Sequence, residues 1–332
     1  MKSNNQFIKS VELVSKNILD SIPDKPNISL HNYLLDLINE SDGKENSLYL
    51  NNVNPFIKEV WVEIIKNNKK VREFIPNKLN ITPSVLYAYK NGRKAISIQM
   101  LYKLISLSNK NVNKIWDNIF QSEFTFSTHS KHQKTKLPKS ITPRLSYIIG
   151  WLCGDGSFQQ RHNYVVKISE KSTNQLLILK SLFKDLFGVE TPIFNRYMGG
   201  YALQIGSKPI YRFLTQVMNI KVGQIPHIVE MMDKTNKKYF LIGIFDSEGC
   251  VYLNRFRLTI SQADNIFLEK IKEFFKEFNI NCRGPTFHKT ELGEWYTIRI
   301  DGKQQILEFY NQFGSCHIDK LQKLYNLVKK ID

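Results

Sequence analysis

Apolar residues recur along this chain at two periods, and the switch between them divides it. Up to about residue 120 the spacing is helical. Phe7, Val11, Val14 and Ile18 predict one amphipathic helix, ended by Ile22-Pro-Asp-Lys-Pro26, and residues 33–38 predict a second. Residues 41–47 read as a loop. Pro55 opens a helix to about Asn67, with Phe56, Val60, Ile64 and Ile65 on its apolar side. After the apolar run 71–75, Thr82 is placed as an N-cap with Pro83 at the first helical position. Val85 and Leu86 would face the core of that helix, and Asn91-Gly92 would end it. Residues 121–140 hold few large apolar groups and read as a basic linker. From Ile141 on, helical runs alternate with pairs of short period-two runs, and the order repeats. Each half reads helix, hairpin, helix, hairpin, helix. Tyr201 to Lys208 matches Tyr296 to Lys303 at a constant offset of 95 (296 − 201, 303 − 208). The predicted class is α+β, with two pseudo-symmetric αββαββα repeats at 141–235 and 236–332 behind a mostly helical domain at 1–120.

Two stretches anchor the repeat: Ile148-Ile-Gly-Trp-Leu-Cys-Gly-Asp155-Gly156 and Leu241-Ile-Gly-Ile-Phe-Asp-Ser-Glu248-Gly249. Small residues stand four apart in each, Gly150 with Gly154 and Gly243 with Ser247, so each helix has one face without bulk. Such faces let two backbones approach closely. Each helix then ends on an acid followed by glycine, expected to be a left-handed C-terminal cap. The two acids, 93 residues apart (248 − 155), would meet at one end of the helix pair, where carboxylates are disfavoured unless a cation offsets them. These stretches resemble the LAGLIDADG motif of homing endonucleases, present here twice in one chain. The segment at about 70–108 resembles the helix-turn-helix of the Cro/repressor class, with Ser84, Tyr87, Lys90 and Arg93 among the residues expected to face DNA.

Strand alternation adds a second surface. Phe256, Leu258 and Ile260 alternate with Arg255, Arg257, Thr259 and Ser261, and Val166 and Ile168 alternate with Lys167 and Ser169. One face suits a core, and the other carries groups able to read base edges or hold phosphates. A net charge of +17 points to a polyanion, with double-stranded DNA first. Candidate contacts on the repeats are Gln159, Arg161, Lys167, Arg196, Gln204, Lys208, Arg255, Arg257, Thr259, Arg283, Lys289, Arg299 and Lys303. No run of about 18 apolar residues appears. Cys153, Cys250, Cys282 and Cys316 form no C-x-x-C pair, which argues against a disulfide framework or zinc site and for a reducing compartment. His129 and His132 lack nearby acids or cysteines and go with the linker. The expected address is a prokaryotic cytoplasm or an organellar matrix, not secretion.

The resemblance implies a monomeric, site-specific DNA endonuclease that cuts a long asymmetric target by metal-assisted hydrolysis, as in intron homing. Asp155 and Glu248, with Gly154 and Ser247, would hold Mg2+ or Mn2+. Glu170 and Gln262 stand where family members carry a water-orienting polar residue, and Lys221 and Lys320 near the family lysines. A non-cleaving DNA-binding regulator, or a maturase acting on intron RNA, is the alternative on the same fold. No intein splice junction is recognisable at Met1 or Asp332, so a free-standing protein is expected.

Overall fold

The computed structural model describes residues 21–23, 28–39, 48–67, 77–108, 110–128, 134–160, 164–197, 199–291 and 293–331. The expected helix 7–18, the loop 41–47, the run 71–75, His129, His132, Arg161, the turn 162–163 and Leu292 lie outside these residues. The N-terminal part comprises α1 (His31–Asn39), β1 (Tyr49–Asn51), α2 (Asn54–Asn67), α3 (Pro83–Lys90), β2 (Ile96–Ser97), α4 (Ile98–Ser106), α5 (Val112–Gln121) and β3 (Thr125–Ser127). Thr82 caps α3 as expected: its Oγ1 accepts from Val85 N at 3.4 Å, and Leu86 is buried. Two features depart from the sequence reading. β2, β1 and β3 form a small antiparallel sheet, and the segment expected as a linker supplies β3 together with a bridge from Phe126 to Thr135. Phe124, Phe126 and Leu137 are buried, so this stretch is packed structure at both ends. Few apolar residues sufficed because each of them points inward.

The first repeat runs α6 (Pro143–Asp155), β4 (Gly156–Gln159), β5 (Val165–Glu170), α7 (Thr173–Phe187), β6 (Ile193–Asn195), β7 (Tyr201–Gly206) and α8 (Lys208–Arg212), continued by a π turn at Phe213–Val217 and the short α9 (His227–Glu230). The second runs α10 (Lys234–Glu248), β8 (Gly249–Tyr252), β9 (Arg257–Gln262), α11 (Asn265–Lys276), β10 (Arg283–Thr290), β11 (Gly293–Asp301), α12 (Lys303–Gln312) and α13 (Ile318–Val328). The two four-stranded antiparallel sheets share one topology, β4-β5-β7-β6 and β8-β9-β11-β10. Val166, Ile168, Leu203 and Ile205 of one sheet, and Leu258, Ile260, Ile298 and Ile300 of the other, are buried. They pack with α7 and with α11 and α12, respectively. Local signals set the helix ends. Thr142 Oγ1 and Asp233 Oδ1 cap α6 and α10, and Gly188, at φ 68°, ends α7.

α6 and α10 lie against each other through their small residues. A Cβ on Gly150 would stand 2.1 Å from Phe240 O, and one on Gly243 would stand 2.3 Å from Tyr147 O. α6 is almost wholly buried, and α10 is buried from Phe240 to Asp246. The glycines after the acids act differently from expectation. Gly156 (φ −70°, ψ 153°) and Gly249 (φ −80°, ψ 151°) are extended, not left-handed. Each is the first residue of a strand, and the chain folds back so tightly that a Cβ would come within 2.4 Å of Leu152 O or Phe245 O. Glycine is required there for space rather than for φ.

This packing yields a stability prediction. Gly243→Ala is expected to lower stability by about 1–3 kcal/mol or more, the usual penalty for overpacking. Gly206→Ala, where a Cβ would meet nothing within 4 Å, serves as the tolerated control in the same denaturant titration.

Candidate active site

Asp155 and Glu248 end α6 and α10, and the close approach of the helices brings them together. A Cβ on Gly154 would lie 2.9 Å from Glu248 Cγ. Burial pushes the Glu248 carboxyl up to about 7, and the neighbouring Asp155 pushes in the same direction. Burial also raises Asp155, with Glu170 adding to the rise and Lys320 opposing it. Asp155, at the exposed rim, and the half-buried Glu248 are thus held side by side, and the aspartate disfavours the charge of the glutamate.

The strand-end residues flank this pair. Gln262, at the end of β9, donates from Nε2 to Glu248 Oε1 at 3.0 Å, while its own Oε1 accepts from Ala263 N at 2.8 Å. Glu170, at the end of β5, accepts at Oε1 from Lys171 N (2.6 Å) and Ser172 N (3.2 Å). Asp155, Glu170, Lys171, Arg196 and Tyr201 line an open pocket of about 560 Å³. Lys320 stands close enough to the acids to feel their charge. Burial lowers its pKa, and Asp246, Glu170, Asp155 and Glu248 all act against that lowering. Its ammonium donates to Phe245 O (3.0 Å), Asp246 O (2.7 Å) and Ser247 O (3.4 Å), closing the last turn of α10. In the first repeat a main-chain donor replaces it. Gly223 N bonds Cys153 O at 2.8 Å, which puts Lys221 in an exposed loop beside the end of α6.

The remaining expected contacts divide by exposure. Ser157, Lys167 and Gln204 stand in register across β4, β5 and β7, and Gln159, Gln204 and Arg196 are exposed. Arg255, Arg283, Lys289 and Lys303 are exposed on the second repeat, with Lys289 paired to Glu294 and Lys303 over the Phe256 ring. Arg257 Nε pairs with Asp301 at 2.6 Å, and Arg299 shares that carboxylate at 3.8 Å. Two expected contacts are corrected. Lys208 is buried, with its ammonium 5.0 Å over the Tyr164 ring, because it opens α8 beneath the first hairpin. Thr259 is 7% exposed, being covered by its neighbours in the middle of a four-stranded sheet. In the N-terminal part Ser84, Tyr87 and Arg93 are exposed, and Lys90 reaches over the Trp61 ring at 5.3 Å.

Sequence reasoning passed over Asp246, Tyr147, Gln175 and His317. Asp246 is fully buried and accepts from Tyr147 Oη (2.9 Å), Ser315 Oγ (2.5 Å) and Cys316 N (2.9 Å). Burial still pushes its carboxyl up to about 6. Gln175 Nε2 donates to the Tyr147 oxygen at 2.8 Å. The one signal in the sequence was a lone acid inside the apolar stretch Leu241-Ile-Gly-Ile-Phe-Asp246, since a buried acid demands donors. His317 gave no such signal. Among the described residues no cluster of three or more His, Cys, Asp or Glu side chains has metal-binding geometry. No helix among them is long and apolar enough to cross a membrane.

Residues 235–314 match the model of the LAGLIDADG-like domain. The resemblance to the LAGLIDADG family therefore holds, and the match falls on the second repeat. Over 303 residues the chain is 25% identical to the isomerizing glutamine–fructose-6-phosphate aminotransferase of Methanocaldococcus jannaschii, covering 85% of this chain and 27% of that protein. It is 24% identical over 229 residues to a "Probable translation initiation factor IF-2" of Thermococcus kodakarensis, covering 65% of this chain and 19% of that one. The chain thus spans about a quarter or less of the length of these relatives. Among solved structures it is similar to I-DmoI in complex with DNA and calcium (19% identity, TM-score 0.41, 52% of this chain and 90% of that one). It is also similar to full-length WhiA from Thermatoga maritima (18% identity, TM-score 0.41, 57% and 61%).

The raised carboxyls make a sign-definite prediction for the metal-free protein. Glu248 holds its proton to about pH 7 when folded, against an ordinary 4.5, so its contribution to stability is lost as pH rises through that window. Glu248→Gln keeps an acceptor for Gln262 and removes the buried charge. Its thermal midpoint is expected to exceed that of the wild type at about pH 8, with the gap closing near pH 4. Equal midpoints at the higher pH would contradict the assigned cause.

Proposed function

We propose that this protein is a site-specific endonuclease that cuts both strands of a double-stranded DNA target by metal-assisted phosphodiester hydrolysis. The observation that carries this reading is the Asp155–Glu248 pair, one acid from each repeat, set at the joint between the helix pair and the two sheets. The donor set fits a divalent cation such as Mg2+ or Mn2+. Two oxygen-bearing acids repel each other, and the nearest ammonium, Lys320, is engaged with main-chain carbonyls. Asp155 and Glu248 would hold the ion, with main-chain oxygens of Gly154 and Ser247 as further donors, although Ser247 O already takes a long bond from Lys320. A bound divalent ion would neutralise phosphate and lower the pKa of water.

The residues of the chain then divide the remaining work. Gln262 and Glu170, each fixed by the main-chain N–H that follows it, would orient water at the two half-sites. Lys167, Gln204, Gln159 and Arg196 on one repeat, and Arg255, Arg257, Arg283, Lys289, Arg299 and Lys303 on the other, would contact the duplex. Ser84, Tyr87, Lys90 and Arg93 would extend the contact from the N-terminal part, as a helix entering a major groove does. The charge of +17 supports a polyanionic partner. Two relatives named for unrelated chemistry share this segment, so neither named activity is carried over to this chain.

A randomised duplex library incubated with the protein and Mg2+ tests the reading. Cut ends at one enriched sequence are expected. Bound but uncut duplex would favour a non-cleaving regulator instead. Once a target is in hand, Asp155→Asn and Glu248→Gln are each expected to slow cutting by roughly a hundredfold or more. DNA affinity should stay within about tenfold and fall steeply with salt in wild type and variants alike.

A further inference from the structure

Glu170 and Gln262 occupy equivalent strand ends, yet one is a charged carboxylate and the other a neutral amide. Gln262 can donate to its acid, and does so to Glu248. Glu170 cannot donate to Asp155, and its charge adds to the difficulty of ionising it. The structure contains a specific answer to this difference. Glu170 Oε1 is taken by the N–H groups of Lys171 and Ser172, while Oε2 faces His317, whose Nε2 lies 3.8 Å away. His317 belongs to the second repeat, so this contact crosses between the halves. In the first repeat the loop that follows α8 brings Gly223 near Gln262 instead, with a Cβ on that glycine lying 4.0 Å from Gln262 Cδ. A glycine stands against the amide and an imidazole stands against the carboxylate.

His317 is firmly placed. It is 5% exposed, with its ring 6.4 Å from that of Trp151. Its N–H donates to Ser315 Oγ at 3.0 Å, and its carbonyl accepts from Leu321 N at 2.8 Å. Ser315 Oγ and Cys316 N both bond Asp246, which takes the Tyr147 hydroxyl, which in turn takes Gln175 of α7. Glu170 leads into the N-terminus of that same helix. The polar chain thus runs through both repeats and brings His317 Nε2 to 3.8 Å from Glu170 Oε2, where burial lowers the imidazole's pKa and the carboxylate opposes that lowering.

We propose that His317 is the positioning residue for Glu170, so that the half-site built on Asp155 and Glu170 takes its geometry from the other repeat. The proposal rests on the nuclease reading above. A duplex bearing the target, labelled separately on each strand, resolves the two cuts. His317→Ala is expected to slow one strand by roughly ten- to a hundredfold, the range seen when a group orienting a reactive side chain is removed. The other strand should keep its rate, and nicked duplex should accumulate. His317→Gln, whose amide N–H can still reach Oε2, should restore most of the loss. Equal slowing of both strands, or an unchanged strand ratio, would overturn the proposal while leaving the nuclease reading intact. A wild type that cuts nothing would overturn that reading first. The contact has its own readout: Glu170→Gln should move the ring 15N shifts of His317, and unmoved shifts would overturn the assignment without any cleavage assay.

Discussion

The backbone-to-backbone approach of α6 and α10 determines the rest of the molecule. Gly150 and Gly243 each stand where a Cβ would collide with the main chain of the opposite helix. Dispersion between two such surfaces is strong because so many atoms meet at contact distance, and a single added methyl would force the helices apart. Their separation sets the separation of Asp155 and Glu248, and the burial that comes with it raises both carboxyls. The same packing creates the need for Lys320, since a helix C-terminus buried beside two acids requires a donor for its last carbonyls.

Much of this was legible in the sequence because the signal was redundant. Two motifs at domain spacing, a constant offset between hairpins and alternating strands all gave the same topology, and each repeat corroborated the other. The failures share a physical cause: they concern what surrounds a residue rather than its own period. Thr259 alternates correctly, yet sits mid-sheet among neighbours that cover it. Lys208 looked like its exposed counterpart Lys303, but the turn of the first hairpin folds Tyr164 over it. Acid-glycine pairs commonly mark left-handed caps, whereas here a strand begins at once and glycine answers a steric demand. His317 was invisible because its approach to Glu170 is made across 147 residues of chain (317 − 170).

The two repeats also show where pseudo-symmetry stops. Cys153 and Asp246 hold equivalent places, but only the aspartate recruits a network, made of Tyr147, Ser315 and Cys316. A buried acid without donors would cost several kcal/mol, so the second repeat had to acquire partners that the first never needed. Once present, those partners pin the segment before α13 and so determine what it offers to the first repeat. The asymmetry of the chain is thus concentrated in a few polar substitutions on an otherwise duplicated apolar frame.

The direct passage from each acid into a strand has a mechanical consequence. β4 begins at the residue after Asp155, and β8 at the residue after Glu248, with no intervening loop to absorb movement. A sheet that seats on its partner with a small tilt must carry its carboxyl along by a comparable distance. On the proposed nuclease reading, misfit at the sheet surface would then become misalignment at the acid pair. Fidelity on that reading would be a property of stiffness, and loosening the glycine joints would blunt discrimination before it abolished grip.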